Sequence, residues 1–160
     1  MESRKSPQLR EAHDAAVARD FPRAERLLRD VLTQEPHNLT ALDLQGFVLY
    51  FLDRPAEAEI SCRKALALEP TRAYSTKGLG LCVAKQGRID EGIELLRQAI
   101  KLEPHWFDPR WDLAIVLGDA KRFDEALAVL AEAESAIPQN AARCEALRNE
   151  FVKRRNEELR

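Results

Sequence analysis

Residues 73–106 read AYSTKGLGLCVAKQGRIDEGIELLRQAIKLEPHW, and the marks in that stretch decide how the rest of the chain is to be read. The small residues Gly80 and Gly92 sit either side of a breaker, Gly87-Arg88-Ile89-Asp90, and Pro104 closes the stretch. Leu96 and Ala99 follow Gly92 at spacings of four and then three, which places all three on one helical face. The stretch therefore reads as two helices joined by a turn, with the proline stopping the second.

Moving 34 residues in either direction brings the same marks back. Pro36, Pro70, Pro104 and Pro138 are 34 residues apart, and cutting in phase gives units 5–38, 39–72, 73–106 and 107–140. The eighth place holds Ala12, Gly46, Gly80 and Ala114; the twentieth holds Ala24, Ala58, Gly92 and Ala126, so two helices can approach closely there. Leu28, Cys62, Leu96 and Leu130 fill the twenty-fourth place, and Val31, Ala65, Ala99 and Ala133 the twenty-seventh. The breakers Arg19-Asp20-Phe21-Pro22, Asp53-Arg54-Pro55-Ala56 and Lys121-Arg122-Phe123-Asp124 match the one in the third unit. Pro22 and Pro55 suit the first turn of a helix, whose amides have no partner to lose. An ordinary bundle with accidental proline spacing would have to align all these columns at once.

This unit resembles the tetratricopeptide repeat (TPR), a 34-residue helix-turn-helix family that favours small residues at places eight and twenty and proline at place thirty-two. The resemblance covers residues 5–140 and implies an all-α fold, a right-handed α-solenoid of antiparallel helix pairs in one domain. The first unit departs from the pattern: Gln8, Glu11 and Ala15 stand where large apolar residues are usual, so its first helix is expected to fray or to pack differently. Residues 141–160 place Cys144, Leu147 and Phe151 at helical spacing beside Arg143, Arg148, Lys153, Arg154 and Arg155. They read as a capping helix, because the last unit of an array otherwise exposes an apolar face to water. The basic face of that helix is expected to be solvated.

Composition narrows the function. With 45% hydrophobic and 32% charged residues the chain reads as a soluble globular protein, and its net charge of −2 lacks the excess of Lys and Arg that nucleic acids or anionic membranes require. Met1 to Arg10 is polar, without the apolar core of a leader, and no apolar stretch reaches membrane-spanning length, so neither membrane insertion nor export is expected and the location reads as cytoplasmic. Cys62, Cys82 and Cys144 fit neither a disulfide framework nor a zinc pattern and read as reduced thiols.

Chemistry is not indicated. An enzyme needs a nucleophile beside a base, paired carboxylates or clustered ligands. His37 and His105 stand at equivalent places on the order of 20 Å apart, given helix spacings of about 8–10 Å. His13 has no visible catalytic partner, and Gly78-Leu79-Gly80 lies within a helix rather than at a phosphate-binding turn. Asp90, Glu91, Asp124 and Glu125 belong to first helical turns, where the macrodipole favours them. No cofactor, metal or catalytic residue is expected.

In the TPR family the first helices of successive units line a concave groove that binds a peptide or a helix. The resemblance puts places two, five, nine, twelve and thirteen on that groove: Leu9, His13 and Val17 from the first unit, and Asp43, Phe47, Tyr50 and Phe51 from the second. Tyr74, Lys77, Leu81 and Lys85 come from the third, and Asp108, Trp111, Ile115 and Asp119 from the fourth. Aromatics are only 6% of the chain, so their gathering in these columns points to anchors for a protein partner, with Trp111 foremost. Lys77 and Lys85, flanked by Asp43, Asp108 and Asp119, are expected either to hold a polar end of the ligand or to stand as solvated charges that tune association rate. The carboxylate clamp of some TPR domains is absent, since Leu9, His13, Leu44, Tyr74 and Gly78 occupy its places. The resulting expectation is a non-enzymatic adapter that takes an apolar or amphipathic protein segment, with an export-type chaperone or a self-assembling scaffold (a homo-oligomer) as alternatives.

Overall fold

In the computed structural model, residues 7–160 are described; Lys5 and Ser6, which open the first unit, and most of the polar stretch Met1 to Arg10 lie outside them. The described residues form helix pairs in chain order. Helices α1 (Pro7–Val17) and α2 (Phe21–Gln34) are followed by α3 (Leu39–Phe51) and α4 (Pro55–Leu68), then α5 (Ala73–Lys85) and α6 (Ile89–Leu102). The last pair, α7 (Asp108–Asp119) and α8 (Phe123–Ala136), leads through a short 3-10 turn (Pro138–Asn140) into α9 (Ala141–Glu158). Each helix packs on the next, with lighter contacts between the first helices of neighbouring units. The fold is thus an all-α, right-handed solenoid of antiparallel pairs closed by a capping helix.

Sequence marks explain the boundaries. The C-caps of α2, α4, α6 and α8 are Glu35, Glu69, Glu103 and Ile137, each the residue before one of the 34-spaced prolines. Steric conflict with the following proline ring turns that residue away from helical backbone. Between the two helices of every unit the fifteenth place turns left-handed: Arg19, Asp53 and Lys121 have φ of 61°, 59° and 59°, and Gly87 has 88°. A left-handed residue just past a helix end satisfies otherwise orphaned carbonyls. Arg54, Arg88 and Arg122 accordingly donate their backbone N–H to Leu49, Val83 and Leu117.

The small residues at places eight and twenty are completely buried or nearly so. Their effect is clearest at Gly92, where an added methyl would lie 2.7 Å from both the Gly80 carbonyl and the Ala84 methyl. No side chain fits there, so α5 and α6 meet backbone to backbone. The first helix departs from expectation by being well packed: α1 is helical with Leu9, Ala12, Ala15 and Ala16 buried. Gln8 lies outside and Glu11 accepts a hydrogen bond from Arg23, so the unusual residues fall on the solvent side or, as Ala15, permit closer approach.

The capping helix also differs from expectation, because Arg143, Arg148, Arg154 and Arg155 are engaged, while Lys153 is exposed as expected. The Arg143 guanidinium lies 4.7 Å from the centre of the Trp111 ring and 5.0 Å from that of Phe107. Arg148 pairs with Glu134, Arg155 with Asp124 at 2.6 Å, and Arg154 donates to the Gly118 carbonyl. Beneath them Cys144, Leu147 and Phe151 seal the cluster of Leu117, Phe123, Leu130 and Ile137.

Candidate protein-binding groove

The first helices of units two, three and four, α3, α5 and α7, frame a groove enclosing about 730 Å³. Period-3.6 spacing turns Phe47, Tyr50 and Phe51 of α3 towards it, with Lys77, Leu81 and Lys85 of α5 and Ile115 and Asp119 of α7. Tyr74 and Asp43 complete that side. A smaller recess continues past Asp43 and Tyr74 to Leu9 and His13 on α1. Sequence register therefore brings most of the expected groove residues to one surface. Phe47, Phe51 and Tyr74 remain 37%, 47% and 37% exposed, an unusual state for large apolar rings unless something else covers them. Phe21 of α2 was missed by the register; it stacks on Phe51 at 5.3 Å and meets Phe47 edge-on at 6.3 Å, supporting both rings from behind.

Three expectations need correction. Trp111 and Asp108 do not line either recess. Trp111 packs beside Phe107 at 5.8 Å and under Arg143, so the capping helix has taken the ring that register assigned to the groove. Asp43 lines the groove but is not free to meet a ligand cation. It is buried and accepts hydrogen bonds from Arg72 Nε at 2.7 Å and Ser75 Oγ at 2.5 Å, tying α3 to the start of α5.

The lysines have other partners than expected. Lys85 Nζ stands 2.8 Å from Asp53 Oδ1 and 4.6 Å from the Tyr50 ring centre. Lys77 Nζ stands 3.2 Å from Asp112 Oδ2 and within 5.2 and 5.7 Å of the stacked rings of Trp106 and Tyr74. Burial pushes the Asp112 carboxyl up, against the pull of the Lys77 ammonium. Asp112 Oδ2 is buried and accepts no well-aligned hydrogen bond, the cation at 3.2 Å being an ion pair rather than an aligned donor.

Cys62 and Cys82 also border the groove. The neighbouring Cys82 thiol and burial together push the Cys62 thiol well above its ordinary range.

Along the turns within the units, neighbouring units are joined by an ion ladder. Arg54 bonds Glu25 of the preceding unit at 2.8 Å and Glu57 of its own; Arg88 repeats this with Glu59 and Glu91, and Arg122 with Asp90 and Glu125. The acidic residues attributed to helix dipoles thus also hold neighbouring units in register. Among the described residues no helix is long and apolar enough to cross a membrane, and no cluster of three or more metal-ligating side chains occurs.

Two tetratricopeptide repeat family models match this chain, over residues 9–74 and 83–150. The chain belongs to the tetratricopeptide repeat family, whose fold serves as a protein-interaction module and is in general non-catalytic. Its fold is similar to that of a thermophilic TPR protein of Thermus thermophilus, with a TM-score of 0.82 at 16% identity, covering 96% of this chain and 85% of that one. It is likewise similar to MamA of Desulfovibrio magneticus RS-1, with a TM-score of 0.73 at 20% identity over 82% of this chain and 75% of that one. In sequence it is 29% identical over 97 residues to the DnaJ homolog subfamily C member 7 homolog of Schizosaccharomyces pombe, covering 53% of this chain. The chain spans only 20% of that relative's length.

Proposed function

We propose that this protein is an adapter whose groove takes an amphipathic segment of another protein, its apolar side chains against Phe47, Phe51, Tyr74 and Ile115. The observation that carries the reading is the exposure of three large rings, two on α3 and one on α5, around one formed recess. Aromatic rings give much contact area for little side-chain ordering and commonly anchor binding. Charged side chains beside the rings, Lys85 and Asp119 among them, favour an amphipathic over a wholly apolar ligand. Both groove lysines already have carboxylate partners, so an acidic ligand gains little from them.

Self-assembly through the first unit has less support. The exposed side of α1 carries Gln8, Arg10, Glu11 and Asp14, with Val17 the large apolar residue there. The test is affinity capture from source-cell lysate with the intact protein and with a Phe47→Ala/Tyr74→Ala variant shown to be folded by circular dichroism. Loss of a captured protein with the variant is expected. Identical capture by both would overturn the groove as the binding surface.

A further inference from the structure

Three small residues from consecutive helices border the same recess: Gly46 of α3, Cys62 of α4 and Gly78 of α5. An added methyl would stand 3.0 Å from Cys62 Sγ on Gly46 and 3.1 Å from it on Gly78, so the sulfur faces both glycines. Among the described residues, the Gly78 methyl would meet no other atom of a neighbouring element within 4 Å, which leaves the space above it to the groove. Phe47, next to Gly46, and Tyr74, one helical turn before Gly78, are two of the exposed rings beside this floor.

Comparison with the other units shows what is missing. Place twenty-four, Cys62 here, holds the fully buried Leu28, Leu96 and Leu130 elsewhere, and place six, Gly78 here, holds Arg10, Leu44 and Asp112. In the third unit Leu96 Cγ stands 3.0 Å from where a methyl on Gly80 would lie, the same separation that Cys62 Sγ keeps from the Gly46 position. The sulfur therefore replaces the branch carbon, and the two methyls beyond it have no counterpart. The helices have not closed over the loss: the Ala58 carbonyl stands 3.6 Å from the Gly46 position, against 3.1 Å between the equivalent Gly92 carbonyl and the Gly80 position.

We propose that Gly46, Cys62 and Gly78 form the floor of a slot that admits one large aliphatic side chain, leucine or methionine, from the protein segment bound in the groove. This rests on the groove reading and deepens it by naming the side chain that sets specificity. The occupant is aliphatic because the space is the one that leucine methyls fill in three other units. A charged side chain would give up its water over a floor of two glycines and a thiol, none of them charged.

The experiment selects binders to the full chain from a displayed library of random dodecapeptides and measures their affinities by fluorescence anisotropy. The selected peptides are expected to share one leucine or methionine whose replacement by alanine weakens binding by about tenfold or more. Cys62→Leu, which restores the residue of the other three units, should weaken the parent peptide by a similar factor and the alanine peptide hardly at all. Without any peptide, Cys62→Leu should melt at a higher temperature than the intact protein, because its methyls enter space that already exists. A lower melting temperature would mean that the space is absent and the leucine overpacked, which sinks the slot. Peptides that lose affinity on Phe47→Ala/Tyr74→Ala but are indifferent to Cys62→Leu would remove the slot and leave the groove standing. A library that yields no peptide dependent on Phe47 and Tyr74 would overturn the groove reading and the slot with it.

Discussion

At the scale of single residues, the left-handed position after each first helix separates backbone preference from packing. Gly87 has φ of 88° and open space where a Cβ would go, so Gly87→Ala meets only the left-handed penalty. A loss of about 1 kcal/mol is expected in urea unfolding. Arg19, with φ of 61°, already bears that penalty, so Arg19→Gly should stabilise by about 0.5–1 kcal/mol in the same assay. If both changes act in the same direction, the turn is held by something other than backbone conformation.

Glu59 gives the matching electrostatic expectation. Burial alone would raise its carboxyl, but hydrogen bonds from Gln86, Arg88 and Arg63 outweigh that and lower it from 4.5 to about 2. A carboxylate depressed on folding contributes stability that is complete above its unfolded value and lost as pH falls towards the folded one. The melting temperature should therefore fall between about pH 5 and pH 2. Glu59→Gln should flatten that fall, and equal slopes for the two proteins would remove Glu59 from the account.

At the scale of elements, the decisive contact is between the fourth unit and its cap. A methyl on Gly118 would come within 2.4 Å of the Phe151 ring, which is almost wholly buried. Gly118→Ala must displace α9 or α7 and should cost about 1–3 kcal/mol. Phe151→Ala leaves a cavity instead and should cost about 3–5 kcal/mol. Denaturant unfolding checks both, and near-neutral values would mean that α9 is only loosely seated. The helices themselves were legible in the sequence, because proline stops and small-residue columns act within a few residues of where they stand. The partners of α9 were not. Its arginines meet Phe107, Trp111, Glu134 and Asp124, and no local pattern ties a cap to the unit it covers.

Repeat register was a sufficient guide to which face of α3 and α5 borders the groove, since a 34-residue period fixes helical phase. It could not distinguish a groove residue from one recruited by a neighbour. Asp43 is bound by Arg72, at the far end of its own unit, and by Ser75 in the next, and Trp111 is covered by Arg143. The ion ladder was hidden for the same reason, as each arginine bridges two units. Exposed pairs of this kind are individually weak, so their repetition matters more for holding the units in phase than for stability.

At the scale of the whole molecule, stability is the sum of units and the interfaces between neighbours. Removing residues 141–160 uncovers Leu117, Phe123 and Leu130 while leaving the interface between α4 and α5 untouched. Hydrogen exchange should then show α7 and α8 losing protection first, with α3 to α6 retaining theirs. A uniform loss of protection along the chain would instead mean that the array opens as one unit.

Neighbour-only packing also sets a clock. Each described helix finds its main partner in the next segment of chain, so its main contacts close across one short turn, and low contact order of this kind favours fast folding. During synthesis the early units can dock while later ones are still being made. The apolar columns at places eight, twenty, twenty-four and twenty-seven, which would be aggregation hazards in a slowly folding sheet, are therefore in the open only for as long as the ribosome takes to deliver the next helix.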